Sequence, residues 1–214
     1  MRLVIAGGHG KIALHLTGLA ADRGDTVIGI VRNPEHVNDI RDRGGDGVVL
    51  DLETATAEQV AAVLAGADAV VFAAGAGPGS GIPRKDTVDR AAAVLTAEAT
   101  QVAEVRRYLQ ISAMGLGRAS DDEAFSAYLA AKDAAERDLR ARDLDWTILR
   151  PGRLSDDPPT GRVSLAESVA PGVVSRADVA AVVVALLDEP ATARLTLELV
   201  GGDVPVAQAV AAVS

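Results

Sequence analysis

The sequence predicts an α/β protein with a doubly wound, mostly parallel sheet and helices on both faces. Up to Pro151, short runs rich in Val, Ile, Leu and Ala alternate with helix-patterned stretches. That alternation is what βαβ units with right-handed crossovers produce. The strand runs are continuously apolar rather than alternating, as in Leu3–Ala6 of Arg2–Ala6 (RLVIA) and in Ala69–Ala74 (AVVFAA), a pattern expected of strands covered on both faces. Almost half of the 214 residues are apolar (49%) but only five are aromatic, so small aliphatic side chains must fill most of the core.

Each element follows in order. Arg2–Ala6 is the first strand, and a helix over Gly10–Arg23 places Ile12, Leu16 and Leu19 at helical spacing. Thr26–Val31 is the second strand, followed after Pro34 by a helix over roughly Glu35–Asp42. Gly47–Leu50 is the third. Thr56 and Gln59 have the spacing of a capping box, opening a helix that ends before Gly66. Ala69–Ala74 is the fourth strand. The glycine-rich loop Gly75–Gly81, expected to be mobile and to serve as a lid, leads to a long helix from Arg84 to Glu104. Arg107–Ile111 is the fifth strand, Glu123–Arg142 a helix and Trp146–Arg150 the sixth strand.

Past Pro151 the rhythm breaks. Ser155–Gly161 is a turn-rich loop, and Gly152–Pro171 is expected to form part of a substrate wall. Ser175 and Asp178 form a second capping box ahead of a helix to Leu187. A last strand, Leu195–Val200, and a short helix, Pro205–Val213, complete the reading. The organisation expected is one domain over 1–214, with a core over 1–151 and a substrate-side segment over 152–214.

Composition narrows the partners. A formal charge of −9 without a Lys/Arg-rich run argues against nucleic acid or an anionic membrane surface. No apolar run reaches the 18 or so residues needed to span a bilayer. The lack of cysteine and of a signal-like stretch points to the cytoplasm. No His-x-x-x-His pair or carboxylate cluster suggests a metal site. A monomer or homodimer is expected, acting on a small molecule. Eighteen arginines stand against three lysines, Lys11, Lys85 and Lys132, so each lysine is informative.

The strand–turn–helix Gly7-Gly8-His9-Gly10-Lys11-Ile12-Ala13 is the geometry that holds a dinucleotide pyrophosphate in a Rossmann fold. Gly7 makes the tight turn, Gly10 admits the phosphates, and small Ala13 brings the helix dipole close. His9, Lys11 and Ile12 belong to the same cradle. At the tip of the second strand Arg32 and Asn33 offer a fork for a 2′-phosphate, which favours NADP(H) over NAD(H). Asp51 and Leu52, at the tip of the third strand, flank the adenine, although Asp51 also reads as a helix cap. Ala73, Ala74 and Gly75 are small enough to pass under the ribose and pyrophosphate.

Tyr128 and Lys132 are four apart (YLAAK) on a predicted helix, so both side chains share one face. Ser112 ends the fifth strand, at the carboxyl edge where such sheets bind ligands. A strand-end serine followed by Tyr-x-x-x-Lys resembles the short-chain dehydrogenase/reductase superfamily. The Gly7-x-x-Gly10-x-x-Ala13 spacing points to its extended and atypical branches. Val88-Asp89, Arg107-Tyr108, the run Asp145–Gly152 that contains Arg150-Pro151, and Arg176–Ala180 are similar to the NAD(P)H-binding atypical group. That group includes NmrA-like proteins and the biliverdin reductase B type of flavin reductase.

The resemblance implies a catalytic set. Tyr128 would donate a proton to a substrate carbonyl oxygen, its pKa lowered from about 10 by cationic Lys132. Lys132 would also bond the nicotinamide ribose, Ser112 would orient the substrate, and Pro151 would border the cofactor. The expected activity is NADPH-dependent reduction of a small carbonyl, quinone or flavin-like acceptor. Two other readings stand beside it: a non-catalytic NADP(H)-binding redox sensor, and an epimerase or dehydratase. Asp86, Asp89 and Asp178 read as structural helix-start acids.

Overall fold

The computed structural model describes residues 1–77, 79–118 and 120–214. Seven parallel strands form the body of the sheet: β1 (Arg2–Ala6), β2 (Thr26–Val31), β3 (Asp46–Val49), β4 (Ala69–Phe72), β5 (Arg107–Ile111), β6 (Asp145–Pro151) and β10 (Leu195–Gly201). Their spatial order is β10-β6-β5-β4-β1-β2-β3, so the chain reverses direction between β1 and β4. Leu3 of β1 lies between Val27 of β2 and Ala69 of β4. A ligand crevice opens at the carboxyl ends of the strands at such a reversal. The fold is the Rossmann arrangement expected from the sequence.

Two apolar layers cover the sheet. On one face α1 (Lys11–Asp22), α7 (Arg176–Leu187) and α8 (Val206–Ala211) bury Leu16, Ala20, Val179, Val183 and Val210. On the other, α3 (Ala57–Leu64), α5 (Ala93–Val102) and α6 (Glu123–Ala141) close over Phe72, Tyr108, Ile148 and Leu64. Each fully buried Leu or Ile stabilises the fold by about 2 kcal/mol relative to exposure. The short α2 (His36–Arg41) follows β2. The capping box of α3 is present: Thr56 Oγ1 accepts from the Gln59 amide (3.3 Å), and Gln59 Oε1 accepts from the Thr56 amide (2.9 Å).

Three features differ from the sequence reading. The helix expected over Arg84–Glu104 starts as one turn, α4 (Ile82–Arg84), continues as a wider π-helical coil over Lys85–Ala92, and becomes α-helical at Ala93. Nothing in its composition signals that widening, and π-helical turns recur at functional sites. Most of Gly152–Pro171 does not form a wall. It supplies β7 (Arg153–Ser155), which pairs with β9 (Val173–Ser175), and β8 (Arg162–Ala166), which pairs antiparallel with β10. A two-residue strand, β11 (Val204–Pro205), extends the edge beyond β8. β7, β9 and β11 are too short to carry a periodic signal, while the five residues of β8 alternate in burial and lie beside the turn-rich loop.

Asp178 is the third difference. Ser175 caps α7 by accepting from the Asp178 amide at 3.0 Å. The Asp178 carboxylate instead accepts from the Thr160 and Gly161 amides (3.0 and 2.8 Å), pinning the loop before β8. Its role is structural as expected, but it serves a distant loop. Among the described residues no helix is long and apolar enough to cross a membrane.

Candidate nucleotide-binding and catalytic cleft

The strand ends border a cleft of roughly 1090 Å³. Of the expected catalytic and cofactor-contacting residues all but Lys11 line it, while Ala13, Asp86 and Asp178 lie outside; Lys11 pairs with Asp156 at 2.5 Å.

At the β1–α1 end the site is main chain. Gly7 has φ +84°, and a Cβ there would stand 2.6 Å from the Ala74 Cα, so backbone conformation and packing both demand glycine. Gly8 is also packed shut, with Gly29 Cα 2.5 Å from a built Cβ. Gly10 differs. A Cβ there would meet nothing closer than 3.5 Å, so the protein itself does not need glycine at that position. The space beside it is open to the cleft. No side chain caps α1 at Gly10, and its first turn carries no acid. An uncapped helix start beside an open glycine fits an anionic diphosphate.

The polar side chains around the cradle are engaged with one another. His9 stacks on His36 at 3.5 Å between centroids and pairs through Nε2 with Asp39 at 2.6 Å. His36 was not among the expected site residues. Asn33 Oδ1 accepts from the Glu35 amide, shaping the turn into α2. Asp51 does not cap α3. It accepts from the Glu53 amide at 3.0 Å, and Thr56 is the cap. Arg32 Nη1 lies 3.0 Å from Glu53 Oε2, which also receives Arg84 Nη2 at 2.9 Å.

At the other end the site is side chains. Ser112 ends β5 with its hydroxyl buried and, among the described residues, without a hydrogen-bond partner. On α6, Lys132 is 3% exposed; its Nζ donates to the Ile111 carbonyl (3.2 Å) and lies 5.9 Å from the Tyr128 ring centroid. The π-helical coil adds two charged residues to the cleft. Asp89, 1% exposed, brings Oδ1 to 3.4 Å from Lys132 Nζ, while Oδ2 accepts from the Ala76 amide. Lys85 sits 5.7 Å over the Tyr128 ring and donates to the Gly77 carbonyl. That bond anchors the loop expected to act as a lid, in which Pro78 lies outside the described residues.

Two sequence-based expectations change here. Asp89 is the buried counter-ion of Lys132, beyond any service to a helix dipole. The Tyr128 hydroxyl is not brought down by Lys132: burial, reinforced by the negative charge of Asp89, holds it above its ordinary value of 10. Burial also pulls Lys132 below its ordinary value, and Asp89 opposes that pull. Two of three lysines in one cleft was the available signal for Lys85. Its partner role and that of Asp89 depend on a coil that sequence does not announce. Among the described residues no group of three His, Asp or Glu side chains is placed to hold a metal.

A family profile described as NAD(P)H-binding matches residues 7–190. The chain belongs to that family. That bears out the NAD(P)H-binding resemblance read from the sequence. The protein named uncharacterized sugar epimerase YhfK from Bacillus subtilis (strain 168) is 36% identical over 211 residues, covering 98% of each chain. A Bacillus halodurans structure provisionally named an NAD-dependent epimerase/dehydratase superposes with a TM-score of 0.91 at 33% identity, with both chains fully covered. ChuY, named an anaerobilin reductase of Escherichia coli O157:H7, shares the fold with a TM-score of 0.78 at 24% identity, covering 95% of this chain and 98% of its own. The family binds NAD(P)H. Of these three proteins, the two above 30% identity carry epimerase names, and the reductase name belongs to a protein that shares the fold.

Proposed function

We propose that this protein is an NADPH-dependent reductase of a small carbonyl, quinone or flavin-like acceptor. The observation that carries the reading is the placement of Asp89 against Lys132, one helical turn from Tyr128. A lysine whose charge is already paired cannot draw the tyrosine toward phenolate. Tyr128 therefore keeps its proton at neutral pH, and a protonated tyrosine is an acid, suited to the reductive direction. An epimerase or dehydratase of this kind needs a base at the same position.

A second point agrees. The residues after Pro151 are spent on β7 to β11, α7 and α8, and of them only Leu154 and Arg176 line the cleft. Little is left to enclose a sugar nucleotide.

In this reading Gly7, Gly10 and the start of α1 hold the diphosphate, with Ala73, Ala74 and Gly75 passing close beneath. Arg32 and Asn33 select the 2′-phosphate, and Asp51 and Leu52 face the adenine. When bound, the reduced nicotinamide supplies the hydride. Tyr128 donates its hydroxyl proton to the acceptor oxygen, Ser112 orients that oxygen with its buried hydroxyl, and Lys132 bonds the ribose. Pro151 and Leu154 form the apolar side.

The test is loss of NADPH absorbance across a panel of carbonyls, quinones and flavins, with Tyr128→Phe as control. We expect the variant to lose about a hundredfold or more in kcat at nearly unchanged NADPH affinity, the usual scale for a general acid. The wild-type kcat should stay flat from about pH 6 to 9, because a hydroxyl titrating above 10 is protonated throughout. Turnover by Tyr128→Phe at the wild-type rate would remove the acid. Tight NADPH binding without turnover on any acceptor would favour the redox-sensor reading.

A further inference from the structure

The carboxylate of Glu53 ties its own loop to two other segments, the tip of β2 and the helix that runs from α4 into the π-helical coil. Oε2 accepts from Arg32 at the tip of β2 (3.0 Å) and from Arg84 on α4 (2.9 Å), and Oε1 accepts from Thr87 on the π-helical coil (2.6 Å). The partners lie 21, 31 and 34 residues away in sequence. Both arginines and Glu53 itself line the cleft. A carboxylate that receives two guanidinium groups and a hydroxyl has the hydrogen-bonding pattern of a bound phosphate oxygen pair.

We infer that Glu53 is an internal competitor for the 2′-phosphate and sets how strongly the protein prefers NADPH to NADH, with Arg84 as the second half of the phosphate site. The inference rests on the reading that Arg32 faces the adenosine ribose. It follows from charge and valence. Two arginines share the single charge of Glu53, which neutralises one of them at most. Each guanidinium fork that turns to the phosphate must first leave Glu53. The unphosphorylated ribose makes no such demand: its 2′-hydroxyl is a donor, and Glu53 is an acceptor already in place. Glu53 thus works against the phosphorylated cofactor and for the other.

The arginine contacts are accessible enough to exchange. The side chain of Arg32 is 55% exposed and that of Arg84 35%, and ion pairs of that exposure are individually weak. A ligand dianion displaces them without dismantling the fold. Thr87 is on the coil that also carries Lys85 and Asp89, so the same carboxylate joins the adenosine end to the segment that faces Tyr128.

The experiment is calorimetric titration of the full chain with NADPH and NADH, for wild type, Glu53→Gln and Arg84→Ala. Adenosine 2′,5′-bisphosphate and 5′-AMP report the phosphate subsite without the nicotinamide. We expect Glu53→Gln to bind NADPH and the bisphosphate about three- to tenfold more tightly, the scale of releasing exposed ion pairs. NADH and 5′-AMP should bind no better. Arg84→Ala should weaken NADPH more than NADH.

Glu53→Asp, too short to span both arginines, serves if the glutamine variant fails to fold. It should move the NADPH/NADH ratio in the same direction. An unchanged ratio, or weaker NADPH binding in Glu53→Gln, overturns the role of Glu53 while leaving the reductase reading intact. Failure of wild type to bind either dinucleotide overturns both.

Discussion

At the β1–α1 end the cleft is bordered by Gly7, His9, Gly10 and Ile12, all from one short run of chain. At the Tyr128 end it is bordered by Lys85, Asp89, Ser112, Tyr128 and Lys132, drawn from the π-helical coil, the end of β5 and α6. The first end needs only a turn and a helix start, both set by local sequence. The second needs three elements to converge, and its charges take their character from one another. A cradle of backbone tolerates changes to the side chains around it. A buried Lys–Asp pair does not, because removing one partner leaves the other charged in an apolar setting.

The sharpest way to break this contrast is Asp89→Ala. Lys132 would keep its burial and lose its counter-ion, and we expect about 3 kcal/mol of destabilisation by urea unfolding, the scale for breaking a buried pair. A loss below about 0.5 kcal/mol, within the range of ordinary surface changes, would show that water reaches Lys132 and that the two ends are not so different.

A glycine pair sharpens the comparison within the cradle. Gly7→Ala meets Ala74 and a left-handed backbone, so it should cost about 2 kcal/mol or more in stability. Gly10→Ala meets no protein atom closer than 3.5 Å. It should unfold at nearly the wild-type temperature yet bind NADPH at least about tenfold more weakly, a loss of 1.4 kcal/mol. If Gly10→Ala binds NADPH normally, the open space beside it is not where the diphosphate lies.

The smallest effect belongs to Lys11→Ala. Its ammonium and Asp156 are both more than half exposed, so loss of the pair should change stability by less than about 0.5 kcal/mol. NADPH affinity should change little, since Lys11 points out of the cleft. A large affinity loss would return Lys11 to the binding set.

The succession of strands and helices up to Pro151, the glycine turn and the Tyr-x-x-x-Lys pair were all legible beforehand. Each depends on periodicity or spacing within a few residues, and local sequence controls those. Arg32, Ser112, Tyr128 and Lys132 were identified by where they stand on elements, and the cleft contains all four. Glu53, Lys85, Asp89 and His36 were not, because what matters about them is a partner. Asp89 lies 43 positions before Lys132, and no pattern in the chain links them.

The sequence by itself determined the sheet, the phosphate cradle and the helix face that carries Tyr128, because turn chemistry and apolar period act over short range. Only the tertiary structure decided the electrostatics: that Lys132 is paired with Asp89, that burial and Asp89 hold the Tyr128 hydroxyl above its ordinary value, and that Glu53 holds both arginines. The physical reason is distance. A charge responds to whatever lies within a few ångströms in space, and a fold brings there residues that the chain keeps far apart.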